Sequence, residues 1–244
     1  ALENLVATIS QAVDEEGVRI VVLSDQELSQ EKATIPMLMA VGRLNQRLLK
    51  DGNRHLVSIV AETGEVYDSH SAASMIAFGA SAVFPCLLFS TVLERLEQSK
   101  VLTMSCHEAM KSVHTALNGG LLKIMSKMGI ATIASYRNSS LFDILGLSTE
   151  ICKDCFADGE SLIPGLGYAD IQERVEKAHK AAFEEDGFNS IFPLTIGGFY
   201  KFYNGGEYHD FGPAVIHSIH KVVETGKTED FEELKGLVNK RGQK

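Results

Sequence analysis

A chain of 244 residues with 45% hydrophobic content can bury roughly 70–75% of its unfolded surface, enough for one large core or two small ones. The net charge of -9 argues against a nucleic-acid partner, which wants clustered Lys and Arg, and zero tryptophan with 7% aromatic residues offers no stacking platform. No run reaches the roughly 18–20 uncharged apolar residues of a membrane helix, the start lacks a signal peptide, and four cysteines suit a reducing compartment, so a cytoplasmic location is expected.

The chain opens on a helical pattern, with Leu2, Leu5, Val6, Ile9 and Val13 at helical spacing, and closes in a charged tail, Lys240 to Lys244; these ends read as cut from something longer. Arg19 to Leu23 is a short apolar run of the kind buried on both faces of a parallel sheet. Pro36 then sits in the first turn of a helix with the apolar face Leu38, Val41, Leu44 and Leu48, stopped by Asp51 and Gly52. The pattern recurs: strand Leu56 to Ala61, helix Asp68 to Phe78, strand Ala80 to Phe84, helix Cys86 to Gln98, helix His107 to Met128. Gly129 ends that last helix, and Ile130 to Ser135 reads as a fourth strand, followed by a short helix Ser139 to Leu145 with Gly146 as its stop. Leu121, Leu122, Met125 and Met128 make an apolar stripe expected in the core.

Strands alternating with helices predict a parallel sheet with right-handed crossovers over residues 1–146. Beyond Gly146 the rhythm changes. A loop from Asp158 to Gly167 leads to a charged helix, Tyr168 to Glu185, then to a glycine- and aromatic-rich stretch holding Phe192, Phe199, Tyr200, Phe202, Tyr203 and Tyr208. A final helix, Pro213 to Thr225, precedes a polar tail, so residues 147–244 read as an irregular extension.

Ligands of parallel α/β proteins bind at the carboxyl ends of the strands. Those ends put Asp25, Glu62 and Arg137 on one rim, as a catalytic cluster or as a structural ion pair with helix caps. Gly64, Gly79, Gly119 and Gly120 fit no phosphate-loop spacing, and Gly64 and Gly79 read as turn residues. Cys152 and Cys155 form a lone C-x-x-C after a helix stop, where neither a zinc set nor a thioredoxin-like context is complete. His217 and His220 share a helix face with His209 nearby, without a matching carboxylate. The residues alone therefore leave no cofactor or metal site in this chain, and point to a module rather than a whole enzyme.

The ordered segments also carry a resemblance. Ile20 to Asp25 (Ile-Val-Val-Leu-Ser-Asp), Ile35 to Gly42, Val60 to Glu65, Phe78 to Val83, Gly120 to Arg137, and Gly206 to His209 with Pro213 resemble the central domain of glutamate synthase large subunits, in order and over nearly the whole chain. The resemblance implies a degenerate, incomplete TIM-barrel-like α/β domain. It lies between an amidotransferase domain that releases ammonia from glutamine and a barrel that binds FMN and a 3Fe-4S cluster and makes L-glutamate from 2-oxoglutarate. Those two domains are the implied partners, with a small NAD(P)H-oxidising subunit beside them. The chain itself carries neither an N-terminal cysteine nor the cluster's cysteine spacing, and Arg43 to Arg47 and Asp68 to His70 replace histidine-rich stretches. The expected role is thus a non-catalytic one, positioning the flanking domains and walling part of the ammonia path. The competing expectation is a self-contained α/β-barrel enzyme acting on a small anionic metabolite through Asp25, Glu62 and Arg137.

Overall fold

A computed structural model describes residues 1–99, 104–156, 159, 161–183, 198 and 200–239. The chain divides into two compact units, Ala1–Glu184 and Glu185–Lys244.

In the first unit, α1 (Leu2–Glu15) leads to β1 (Ile20–Ser24), α2 (Met37–Lys50), a single 3-10 turn (Arg54–Leu56), β2 (Ser58–Glu62), α3 (Ser69–Ala77) and β3 (Ala82–Phe84). The three strands run parallel in the order β1-β2-β3, with Val22 opposite Val60 and Val60 opposite Ala82. Each connection carries its helix to the same side. Val21, Leu23, Ile59 and Ala61 accordingly join Val6 and Val13 of α1, Val41, Leu44 and Leu48 of α2 and Ala72 and Met75 of α3 in one core. Because strand side chains alternate, the other face is bare: Ile20 is 67% and Val22 56% exposed. The expectation of a strand buried on both faces is corrected here, since α1, α2 and α3 all pack into the one core and cover only one face. No barrel closes among the described residues.

The helix boundaries follow local chemistry. Asp68 accepts from the Ser71 amide at 2.7 Å while the Ser71 hydroxyl accepts from the Asp68 amide at 3.1 Å, a reciprocal cap that starts α3. Ser105 and Glu108 repeat the device on α5 (Cys106–Met128), which Gly129 ends at φ +74° after α4 (Cys86–Gln98).

The sequence pattern misleads after Gly129. Ile130 to Ser135 is no strand: Thr132 accepts from the Ser135 amide and starts the one-turn α6 (Ile133–Tyr136). A short apolar run has no periodicity of its own, and the capping threonine decides it. The predicted helix 139–145 is instead a bend running into β4 (Ile144–Leu147), which pairs in parallel with β5 (Ser161–Leu166), inside the stretch read as a loop. Pro164 marks that stretch as loop-like, yet a two-stranded ribbon has only edge strands, where proline is tolerated, and its register shifts around Gly146 and Pro164. Between them lies α7 (Thr149–Cys155), and α8 (Tyr168–Phe183) follows. Ile144, Ile151, Cys152, Cys155 and Phe156 pack with Met39 of α2 as a second core. Ala73 and Ala77 of α3 with Leu121, Met125 and Tyr136 form a third. The stripe on α5 is half right, since Leu122 and Met128 are exposed.

In the second unit, α9 (Pro213–Thr225) turns at Gly226, in the left-handed region at φ +62°, into α10 (Thr228–Asn239). The tail expected to be merely polar is this helix, held by Lys221, whose ammonium lies 2.8 Å from both Asp230 and Glu233. Phe192 and Phe199 lie outside the described residues; Tyr200, Phe202, Tyr203 and Tyr208 are exposed.

Candidate functional site

Two polar centres flank the three-stranded sheet, one at each end. At the carboxyl end, Asp25 follows β1 and is held by the loop after β2: its carboxylate accepts from the Thr63 hydroxyl and from the Gly64 amide at 3.0 Å. The Thr63 hydroxyl in turn accepts from the Glu65 amide at 3.0 Å. Both Glu65 oxygens accept from the Met37 amide at 3.0 Å, so this carboxylate caps the amino terminus of α2, where Pro36 offers no donor and the helix dipole favours negative charge. The residue as a whole is exposed, but its carboxylate is held against the start of the helix. Burial first, and the Asp25 charge after it, push the Glu65 carboxyl above its ordinary range, against the Met37 amide, which pulls it down. Glu62 ends β2 half-buried, and its carbonyl accepts from the Asp25 amide at 3.3 Å. The Asp25 and Glu65 carboxylates are thus spent on holding a loop and a helix start.

Arg137 is not with them. It lines a cleft of about 350 Å³ with Ala134 and Asn138, beside Leu49, Gly52, Arg54 and His55, which precede β2, so it belongs to the amino end of the sheet. The predicted rim of Asp25, Glu62 and Arg137 is therefore split between opposite ends. The misplacement follows from the misread strand: with residues 130–135 turned into α6, Arg137 does not sit at a strand terminus.

The second centre was not anticipated. Arg54 is only 9% exposed and donates three hydrogen bonds: Nε to Asn45 Oδ1 at 2.6 Å, Nη1 to the Val57 carbonyl at 2.5 Å and Nη2 to the Gly79 carbonyl at 2.6 Å. Asn45, fully buried on α2, donates its Nδ2 to Asn138 Oδ1 at 2.7 Å. Asn138 has φ +58°, a left-handed conformation that asparagine tolerates, and its amide donates to the Ala77 carbonyl at 2.8 Å. Gly79 is required here: at φ +133° it is open to glycine, and a Cβ on it would fall 2.5 Å from Asn45 Cγ. A guanidinium surrounded by neutral acceptors is costly to bury, and desolvation, with the Arg137 charge adding to it, lowers the Arg54 pKa to about 10. Nothing in the local spacing announces Arg54, and the only sequence signal is an arginine placed directly before a buried strand.

The remaining candidates are structural in position. Cys152 and Cys155 are free thiols in the second core, and burial raises both, Cys155 to about 11. Arg43, in the segment that replaces a histidine-rich one, bridges Glu3 of α1 at 2.7 Å and Asp154 of α7 at 3.5 Å. Among the described residues no three His, Cys, Asp or Glu side chains come together as a metal set, and no helix is long and apolar enough to cross a membrane.

Residues 1–148 match the family described as the glutamate synthase central domain. Over 218 residues the chain is 32% identical to the glutamate synthase [NADPH] large chain of Bacillus subtilis, covering 89% of this chain and 14% of that protein. It is 32% identical over 244 residues to the NADPH large chain of Azospirillum brasilense, covering 99% of this chain and 16% of the other. It is 34% identical over 251 residues to the ferredoxin-dependent glutamate synthase of Pyropia yezoensis, covering 98% and 16%. The chain thus spans about one sixth of the length of these relatives, and its order of strands and helices over the matched residues is that of a βα-repeat; it belongs to the glutamate synthase central domain family.

Proposed function

We propose that this chain is a non-catalytic scaffold within a glutamate synthase large chain. It positions a glutaminase domain and an FMN-binding synthase domain and contributes to the ammonia path between them, in an enzyme that makes L-glutamate from L-glutamine and 2-oxoglutarate. The observation that carries the reading is the bare face of the parallel sheet. Parallel sheets are ordinarily covered on both faces; here Ile20 and Val22 stand exposed, and the relatives are about six times longer, which leaves chain available to cover them. The carboxyl-end acids support it, since Asp25 and Glu65 are committed to loop and helix-cap bonds and Arg137 is at the other end. NADPH-dependent and ferredoxin-dependent relatives align at similar identity, so the role proposed is one the two kinds share, and the location proposed with it is cytoplasmic. FMN and a 3Fe-4S cluster belong, in this reading, to the neighbouring domain.

The test substitutes Val22→Asp in the isolated chain and in a full-length enzyme containing it. In the isolated chain the exposed site should tolerate the change within about 1 kcal/mol. In the full-length enzyme glutamine hydrolysis should continue while glutamate formation per glutamine consumed falls. Unchanged coupling would refute the scaffold role, and so would glutamate formation by the isolated chain supplied with glutamine, 2-oxoglutarate and a reductant.

A further inference from the structure

The cleft at the amino end of the sheet holds two guanidiniums and no carboxylate. Its lining is Leu49, Gly52, Arg54, His55, Ala134, Arg137 and Asn138, and none of the ion pairs among the described residues involves Arg54 or Arg137. Buried arginines are ordinarily paired, because an uncompensated charge out of water is costly. Arg54 instead donates to three neutral oxygens, which uses three of its five N–H groups and none of its charge.

Arg137 adds an independent observation. Its Nε is buried and has no hydrogen-bond partner. Two further buried orphans, the Tyr136 hydroxyl and Ser139 Oγ, fall in the same four-residue segment, and Asn138 between them is held in the left-handed region by the Asn45 and Ala77 bonds. Buried polar atoms without partners are few in native proteins, and one on an arginine that lines a cleft marks a place where a partner belongs. The backbone that presents Arg137 is thus fixed by the same asparagine that fixes Arg54, and both groups are set in place before any ligand arrives.

We propose that this cleft binds a small oxyanion, a phosphoryl group or a short dicarboxylate, with Arg137 donating through Nε and Arg54 supplying the second positive charge from the floor. A planar guanidinium matches a carboxylate or phosphate by two parallel N–H donors, and a desolvated pair of them gives charge-assisted bonds. The volume of about 350 Å³ is at the small end of ligand clefts, which suits such an anion. This assignment does not depend on the scaffold role.

The experiment follows the arginine Nε–H signals of the 15N-labelled 244-residue chain by NMR while inorganic phosphate, or in a parallel arm succinate, is added at constant ionic strength. Saturable shifts at Arg137 and Arg54 in the range of about 0.1–10 mM are expected, with backbone amide changes confined to Gly52–His55 and Ala134–Asn138. Saturation by phosphate alone assigns a phosphoryl ligand, and by succinate alone a dicarboxylate. Arg137→Gln should weaken the effective probe on the order of tenfold or more, and Arg137→Lys should recover only part of it. Linear, non-saturating drifts, or shifts spread over the surface lysines, would overturn the proposal even if neither variant folds. Equal affinity in wild type and Arg137→Gln would overturn it as well.

Discussion

Adding one methyl group at each of two neighbouring glycines of α5 should change stability in opposite directions. A Cβ on Gly119 meets nothing within 4 Å. Alanine there removes a flexible residue from a helix interior, and Gly119→Ala should stabilise by about 0.5–1 kcal/mol. A Cβ on Gly120 would fall 1.9 Å from Ser69 Oγ and 2.4 Å from Ser69 Cβ. The hydroxyl can rotate away, but the Ser69 Cβ is fixed to the first residue of α3, beside the Asp68–Ser71 cap. Relief therefore requires α3 and α5 to separate by about an ångström, opening the core of Ala73, Ala77, Leu121 and Met125 and costing about 1–3 kcal/mol. In a unit of this size about 1 kcal/mol shifts the melting midpoint by roughly 2–4 °C, so the two variants should bracket the wild type by a readily measured margin in heat or urea melts. Variants with the same sign of shift, or a neutral Gly120→Ala, would show that α3 and α5 do not cross at this distance.

Three further outcomes follow from the packing and the ionisable groups. Met125→Asp buries a carboxylate among Ala73, Ala77, Leu121 and Tyr136, and should cost about 3 kcal/mol or more in denaturant melts. Iodoacetamide at pH 8, followed by mass spectrometry, should label the exposed Cys106 first and leave Cys152 and Cys155 unmodified until the first unit unfolds, because both are buried and the Cys155 thiol is raised to about 11. The Asp68 carboxyl is held below its ordinary range by the Ser71 amide and hydroxyl, and Asp51 likewise by the Ser10 hydroxyl and Arg47. Their contributions are thus complete above the unfolded carboxylate pKa near 4 and are lost as pH falls through the lower folded values. Asp68→Asn keeps an acceptor on the cap without a titrating proton, so its melting midpoint between pH 5 and pH 2 should fall less steeply than that of the wild type.

The first half of the fold was legible because local signals there agree. Pro36 before α2, the Asp68 cap, Gly79 after α3 and the apolar spacing of each helix all point to one βα alternation, and the structure keeps it to within a residue or two. The same local reading fails where tertiary pairing decides. Ile144–Leu147 is a strand because Ser161–Leu166 lies beside it, and neither segment has the alternation or the β-branched content that would mark it alone. The candidate site failed for the same reason at one remove. Placing Arg137 on a strand end required residues 130–135 to be a strand, whereas the Thr132 cap converts them into a helical turn and carries Arg137 to the opposite end of the sheet. There it meets Arg54, whose burial rests on two long-range bonds, from Arg54 to the Gly79 carbonyl and from Asn45 to Asn138, that join residues 25 and 93 positions apart. No window of sequence contains such a pair. An arginine before a buried strand is a surface charge by composition, and it becomes part of an anion cleft only because a distant asparagine and a glycine with positive φ leave it a place inside.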